Sequence, residues 1–317
     1  MSTHNYVRPA VVTLLIFFVL CILTSSADAG SGAGKAGTTS ANFLKIGVGA
    51  RASALGGAYV ALSDDATAGY WNPAGLSQVG HTELIFMHNS WYDDITVEYL
   101  GAALPISDAV TFGLGFSYLD YGTFEGYDIN DNPTGEYSAN ALVASASGSF
   151  RISDNVSFGL TGKILSEKLE ESSANGAAFD IGMHYRTRYV SFGLNYMNIG
   201  SGIKYENEEF PLPSQLAAGA ALHLFDDRLR IASDLNSPND GSPTLHQGME
   251  YCYENTVYLR TGYAHTFEDI SGASDTGMTF GLGIRHSIGS VDYSYLPDAD
   301  LGDIHKISFR LSIGSLR

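Results

Sequence analysis

Cysteine is almost missing from this chain: two occur in 317 residues, Cys21 and Cys252. Cys21 falls in the leading apolar run, so a mature chain that begins after residue 29 keeps one thiol and forms no internal disulfide. Long apolar runs are missing as well. The one clear run, Ala10 to Leu23, spans 14 residues, against about 20 for a membrane-crossing helix. Arg8 precedes it, and Thr24-Ser25-Ser26 and the small triplet Ala27-Asp28-Ala29 follow it. A charged lead, a short apolar centre and an A-x-A-like end predict a secretory signal peptide over 1–29 rather than an N-terminal anchor. Phe18-Val19-Leu20 before Cys21 lacks the small residues that lipoprotein processing prefers. With no second apolar run, residence in a membrane requires a β-barrel or a surface.

Charge is scarce, and positive charge most of all. Only 16% of residues are charged, and 17 Lys and Arg face 34 Asp and Glu for a net charge of −17. That balance argues against nucleic acid as a partner and against charge-driven binding to anionic lipid. The acids gather at Asp64-Asp65, Asp93-Asp94, Asp128 to Asp131, Glu206 to Glu209 and Asp298 to Asp303. In place of charge the chain carries 36 glycines and 19 tyrosines.

What it has in abundance is alternation. Val110, Phe112, Leu114, Phe116 and Tyr118 interleave with Thr111, Gly113, Gly115 and Ser117. The same rhythm runs through Val156, Phe158 and Leu160, through Met278, Phe280, Leu282 and Ile284, and through Ile307, Phe309, Leu311 and Ile313. Period two means strands with one apolar and one small or polar face. Fourteen strands are predicted, near 82–90, 95–104, 109–119, 137–150, 155–168, 176–187, 189–198, 214–224, 228–236, 244–253, 256–265, 276–287, 289–296 and 305–315. Their connections are tight on one side, as at Ile152-Ser153-Asp154-Asn155 and Phe225-Asp226-Asp227-Arg228, and mostly long on the other: 120–136, 169–175, 199–213, 237–243, 266–275 and 297–304. The connection at Trp91 to Asp94 is short and breaks the trend.

An even strand count with short turns on one rim and long loops on the other predicts an all-β fold, a 14-stranded antiparallel transmembrane β-barrel of the bacterial outer membrane. A secreted soluble β-sandwich also alternates. The polar face here, however, is Gly, Ser, Ala and Thr with scattered Lys163, Arg230, Arg260, Arg285 and Arg310, which suits a crowded lumen better than a solvated surface. Aromatic residues such as Trp91, Tyr121, Tyr196, Tyr251, Tyr263 and Tyr293 fall near strand ends, as interfacial girdles do. Residues 30–80 precede the strands as a small-residue lead and a compact Gly/Ala-rich segment, and 81–317 form the barrel. Within that segment Asp64 or Asp65 is placed to cap a short helix over Ala66 to Tyr70 that ends before Pro73.

The stretch Phe43-Leu44-Lys45-Ile46-Gly47-Val48-Gly49-Ala50-Arg51-Ala52-Ser53-Ala54-Leu55-Gly56-Gly57-Ala58-Tyr59-Val60-Ala61, continuing through Asp64-Asp65-Ala66 to Tyr70-Trp71-Asn72-Pro73-Ala74-Gly75-Leu76, closely resembles the opening of the PorV/PorQ family of outer-membrane proteins. That family is similar to the FadL-type transporters of fatty acids and hydrocarbons. The specific motif covers about 35 residues, and the rest of the chain resembles the family in strand number and turn rhythm. The resemblance implies a 14-stranded barrel in the outer membrane with the N-terminal segment plugging the lumen. It makes Gly56, Gly57, Asn72, Pro73, Ala74 and Gly75 candidate gating or plug residues, which either gate a small hydrophobic ligand or merely seal the barrel. Its implied partners are outer-membrane lipid, a small hydrophobic ligand and, for PorV-like members, proteins of type IX secretion. A conduit for small hydrophobic molecules is the first functional expectation, and a secretion-associated shuttle the alternative. The end of the sequence, Ser312 to Arg317, lacks the terminal aromatic usual in FadL-like barrels.

No catalytic, cofactor or metal site is expected. Asp128-Ile129-Asn130-Asp131-Asn132-Pro133-Thr134-Gly135-Glu136 alternates oxygen ligands as calcium loops do, but Pro133 stands where such a loop needs Gly. The histidines are dispersed and no G-x-S-x-G-type turn occurs. His246 and Glu250 share one strand face, and two ligands do not make a metal site.

Overall fold

The computed structural model describes residues 37–92, 95–170, 172–205, 208–267, 277–298 and 302–314; the predicted signal peptide lies outside these residues. Sixteen strands follow in order: β1 (Thr82–Ser90), β2 (Thr96–Pro105), β3 (Val110–Tyr127), β4 (Pro133–Arg151), β5 (Val156–Leu169), β6 (Ser172–Arg186), β7 (Val190–Gly200), β8 (Ile203–Tyr205), β9 (Glu208–Phe210), β10 (Gln215–Leu224), β11 (Leu229–Pro238), β12 (Thr244–Tyr253), β13 (Val257–Thr266), β14 (Gly277–His286), β15 (Gly289–Leu296) and β16 (Ile304–Ile313). All but β8 and β9 form one closed antiparallel barrel of fourteen strands, each paired with its neighbour in sequence. The strands β8 and β9 make a separate ribbon in the connection from β7 to β10. Closure runs from Thr82↔Ile313 to Ser90↔His305 between β1 and β16, so no sheet edge is left unpaired.

The pleat sorts the side chains as the alternation predicts, and the exposed face is the apolar one. Leu114 and Leu160 are each 54% exposed and Leu282 44%, while on the opposite face Asn195 and Asp234 are 0% exposed. A soluble protein rarely leaves so continuous an apolar surface open to water. Wrapped around a closed barrel, it meets lipid. Tyr196, Tyr251, Tyr263 and Tyr293 stand on this outer face. Trp91, read as part of the aromatic girdle, instead packs inward against the apolar cluster that includes Leu44 and Met87.

Short turns follow β2, β4, β6, β10, β12 and β14. At one of them Glu254 and Asn255 both take positive φ, the geometry of a type I′ hairpin. The opposite rim departs from expectation. The stretches 120–136 and 169–175, read as long loops, mostly continue as strand: β3 and β4 pair out to Tyr127↔Pro133, and β5 and β6 to Leu169↔Ser172. These four strands hold 14 to 19 residues against 10 in most of the others. At a strand tilt near 40° about 10 residues cross the bilayer core, so the surplus lifts this part of the wall roughly 10 Å beyond it at β5 and β6 and roughly 20 Å at β3 and β4. Period two fades there because water replaces lipid outside the wall. In the tip turn the Asp128 carboxylate accepts from the backbone N–H groups of Asn130 and Asn132 at 2.8 and 2.9 Å, so the alternating oxygens shape a turn.

Lipid contact makes a position-dependent prediction. Leu282→Arg, near the middle of β14, should cost about 2–4 kcal/mol, whereas Ile106→Arg in a short turn should cost less than about 1 kcal/mol. Urea unfolding of protein refolded into liposomes checks this; equal costs would place the apolar face in water.

Candidate functional site: the segment inside the barrel

Ahead of β1, residues 39–79 fold without long elements. A 3₁₀ turn covers Asn42–Lys45, α1 covers Ala50–Ala54, α2 covers Ala68–Trp71, and a second 3₁₀ helix covers Pro73–Gln78. The predicted short helix therefore begins two residues late. Asp65 shapes its start by accepting from the Thr67 N–H at 2.9 Å, and Asp64 turns away from it. Helices this short leave most of their backbone groups unsatisfied. The segment lies within the ring of strands, and the small polar side chains of the inner wall supply the missing partners.

Those bonds come from around the barrel. Ser308 accepts from Ala50 N (2.9 Å) and Asp234 from Val60 N (2.7 Å). Thr279 donates to Ala54 O (3.1 Å), Ser191 to Ala61 O (2.7 Å), Asn195 to Trp71 O (2.9 Å), Thr161 to Gly69 O (3.0 Å) and Ser149 to Ala74 O (2.9 Å). His246 meets Gly56 O at 2.6 Å and His184 meets Ala61 O at 3.0 Å. His246 and Glu250 thus serve different partners. Sequence reading saw the Ser/Thr face as lumen and missed its role as a rack of hydrogen bonds; the signal was that face's excess of hydroxyls over charges.

Five of the six candidate residues sit at close approaches between segment and wall, and Gly75 at one within the segment. Gly56 has φ +65°, and a Cβ there would lie 2.7 Å from the Tyr263 nitrogen, so only glycine fits. Gly57 packs against His246. A Cβ on Gly75 would collide with the Ser63 carbonyl. Asn72, 0% exposed, is extended as the residue before proline must be. Its amide donates to Val60 O at 3.0 Å and Met183 O at 3.1 Å, and its oxygen accepts from Ala74 N at 3.2 Å. Pro73 and Ala74 rest directly on Gly159 and Gly182 of the wall. This element is held on every side.

Charge adds a second tie at the short-turn end. Arg51 makes a bidentate pair with Glu250, at 2.9 and 3.1 Å, and reaches Asp64 at 2.5 Å and the Tyr59 hydroxyl at 2.7 Å. Glu250 also accepts from Arg260 (2.7 Å) and Arg230 (3.3 Å). Arg260 continues to Asp292 at 2.6 Å, and Arg310 approaches Asp65 at 3.7 Å. Four cations and four anions are thereby interleaved, and the arginines 230, 260 and 310, scattered in sequence, converge on the acids that Arg51 also meets. Lys163 stands apart on Asp180 (2.8 Å). Burial alone would raise the Asp64 carboxyl, but the Arg51, Arg230 and Arg186 charges outweigh it and hold it well below the usual carboxylate range.

At the other end, an apolar pocket of about 30 Å³ lies between the segment and strands β2 to β5, lined by Phe43, Leu44, Tyr70, Tyr99, Leu119 and Val143 among others. It has room for little more than a water molecule.

A closed, lipid-facing barrel with a buried N-terminal segment defines a protein of the outer membrane. The model of the family described as type IX secretion system protein PorV matches residues 31–244, and the chain belongs to that family. Solved structures of similar fold include the toluene transporter TbuX of Ralstonia pickettii (15% identity, 84% of this chain and 99% of that one, TM-score 0.61) and the monoaromatic hydrocarbon channel CymD (15%, 85% and 98%, 0.61). The toluene transporter TodX of Pseudomonas putida is also similar (15%, 83% and 96%, 0.59). At this identity they establish the FadL-like fold. Comparison with curated protein sequences gave no match.

Glu250→Ala would leave three arginines sharing too little negative charge and should cost about 3–5 kcal/mol in the urea unfolding of the refolded barrel. The Asp64 contribution has a defined pH window. Its carboxyl is depressed in the folded state, so the stabilisation is full above the unfolded value near 4 and is lost as pH falls through the lower folded value. Conductance of the reconstituted protein should therefore stay low from pH 7 to about 4 and rise below it; a rise that begins near pH 6 would assign the tie to other groups.

Proposed function

We propose that this protein is a secretion-associated interaction protein of the outer membrane, its lumen kept shut by the N-terminal segment and its partner held on the raised wall of β3 to β6. The observation that carries this reading is the family match over residues 31–244. Two structural features support it. The segment is bonded to wall residues from β1 to β16, which suits a fixed seal. The raised wall also offers apolar side chains on its outer part, with Ile129 99% and Tyr127 57% exposed. Affinity purification of the native protein from gently solubilised outer membranes tests the proposal: secretion proteins should co-purify and should be lost when 123–136 is replaced by a short turn. Recovery of the barrel alone in both cases would overturn it.

A second reading, a conduit for small hydrophobic molecules, is favoured by the apolar pocket at Phe43 and Tyr70. Because the pocket is too small for a hydrocarbon, passage requires displacement of the segment, with Gly56, Gly57 and Asn72 to Gly75 as its gating elements. Deletion of 47–76 should then raise leak and abolish selective uptake; unchanged uptake in the deletion strain excludes the conduit.

A further inference from the structure

Inside the long-loop mouth a cavity of about 340 Å³ opens between the start of the segment and the β1–β16 seam. Its wall holds three polar side chains with hydrogen-bonding capacity that the fold leaves unused. Asn89 is 0% exposed, and both its amide nitrogen and its amide oxygen lack any partner in the protein. The Trp91 indole N–H, two residues on, is likewise buried and unpartnered. Lys306 is the cross-strand neighbour of Asn89 and also lines the cavity. Its ammonium donates to Gly47 O and Ser53 Oγ, both at 2.9 Å, which leaves one of its three hydrogens to give. Ile46, Leu296 and Ile304 add apolar surface, and Asn42, Lys45, Tyr92 and Asp298 further polar groups, the Asp298 carboxylate accepting from the Tyr92 hydroxyl at 3.3 Å.

A buried amide with both ends open is costly unless something fills the site. We propose that this cavity is a binding site for a small α-hydroxy acid with an apolar or aromatic body. Lys306, the Asn89 amide nitrogen and the Trp91 N–H are three donors, which a carboxylate can accept together. The Asn89 oxygen is an acceptor that no carboxylate satisfies; a hydroxyl on the neighbouring carbon does. The apolar lining takes the body of the ligand. A hydrocarbon would bury the amide and the ammonium without partners, so this site selects against the ligands named for the toluene and monoaromatic channels of similar fold. The inference rests on neither reading of the overall function, since it needs no open lumen and no secretion partner.

Isothermal titration of the full chain in detergent, with 3-phenyllactate as probe, tests it. Phenyllactate should bind, 3-phenylpropionate, which lacks the hydroxyl, should bind about tenfold more weakly, and toluene should not compete. Asn89→Leu should abolish phenyllactate binding and leave the thermal midpoint equal or higher, because the buried orphan amide is gone. Trp91→Phe, which keeps the ring and loses the donor, should weaken binding several-fold. Loss of binding in Asn89→Leu together with a lower midpoint is read against Trp91→Phe: unchanged binding in that folded variant overturns the proposal. No binding of phenyllactate to the wild-type protein, equal binding of phenylpropionate, or unchanged binding in Asn89→Leu also overturns it.

Discussion

The structure depends on a requirement of the backbone. An irregular segment at membrane depth, cut off from water, must find a partner for each of its amide and carbonyl groups. Helices of four to six residues cannot supply them internally. The wall does so with serine, threonine, asparagine and histidine side chains, each of which projects inward only because the strand register places it there. The wall residues and the segment are therefore one design. Moving a strand by one residue would turn its hydroxyls to lipid and orphan the carbonyls they now serve.

The second constraint is electrostatic. Three buried arginines and a fourth partly buried would be prohibitive singly, and the acids equally so. Interleaved, with Glu250 receiving three guanidinium groups and Arg51 reaching Glu250, Asp64 and the Tyr59 hydroxyl, they are tolerated. Such a network is specific rather than strongly stabilising. It fixes where Arg51 sits, and with it the path of the segment at the short-turn end of the barrel.

Much of this was legible in the sequence, and for identifiable reasons. The lipid-facing strands announce themselves because Phe112, Leu114, Leu160 and Leu282 stand at period two, and the short turns because each interrupts that period. The height of β3 to β6 was not legible. Beyond the bilayer both faces of Phe124 to Tyr127 meet water or each other, so alternation weakens while pairing persists. The charge network was also hidden, because Arg51, Arg230, Arg260 and Arg310 are distant in sequence and only barrel closure brings them together. Asn72 is extended because a proline follows it, which the sequence does carry. Its environment, with the amide spent on Val60 and Met183, depended on wall residues that no local pattern names.

These ties are unequal along the segment, and the inequality limits what can move. Residues 50–78 combine the hydroxyl rack, the Asn72 clamp and the Arg51 network, so displacing them exposes carbonyls and splits ion pairs at several kcal/mol each. Residues 39–47 are held more lightly. Lys45 reaches Asp240 at 2.5 Å from a side chain 38% exposed, Thr39 bonds the same carboxylate, and Ser40 bonds the Phe210 and Pro211 carbonyls. The lysine end of that ion pair is open to water although Asp240 is buried, which limits its contribution. Displacing residues 39–47 therefore breaks fewer of these ties than displacing 50–78.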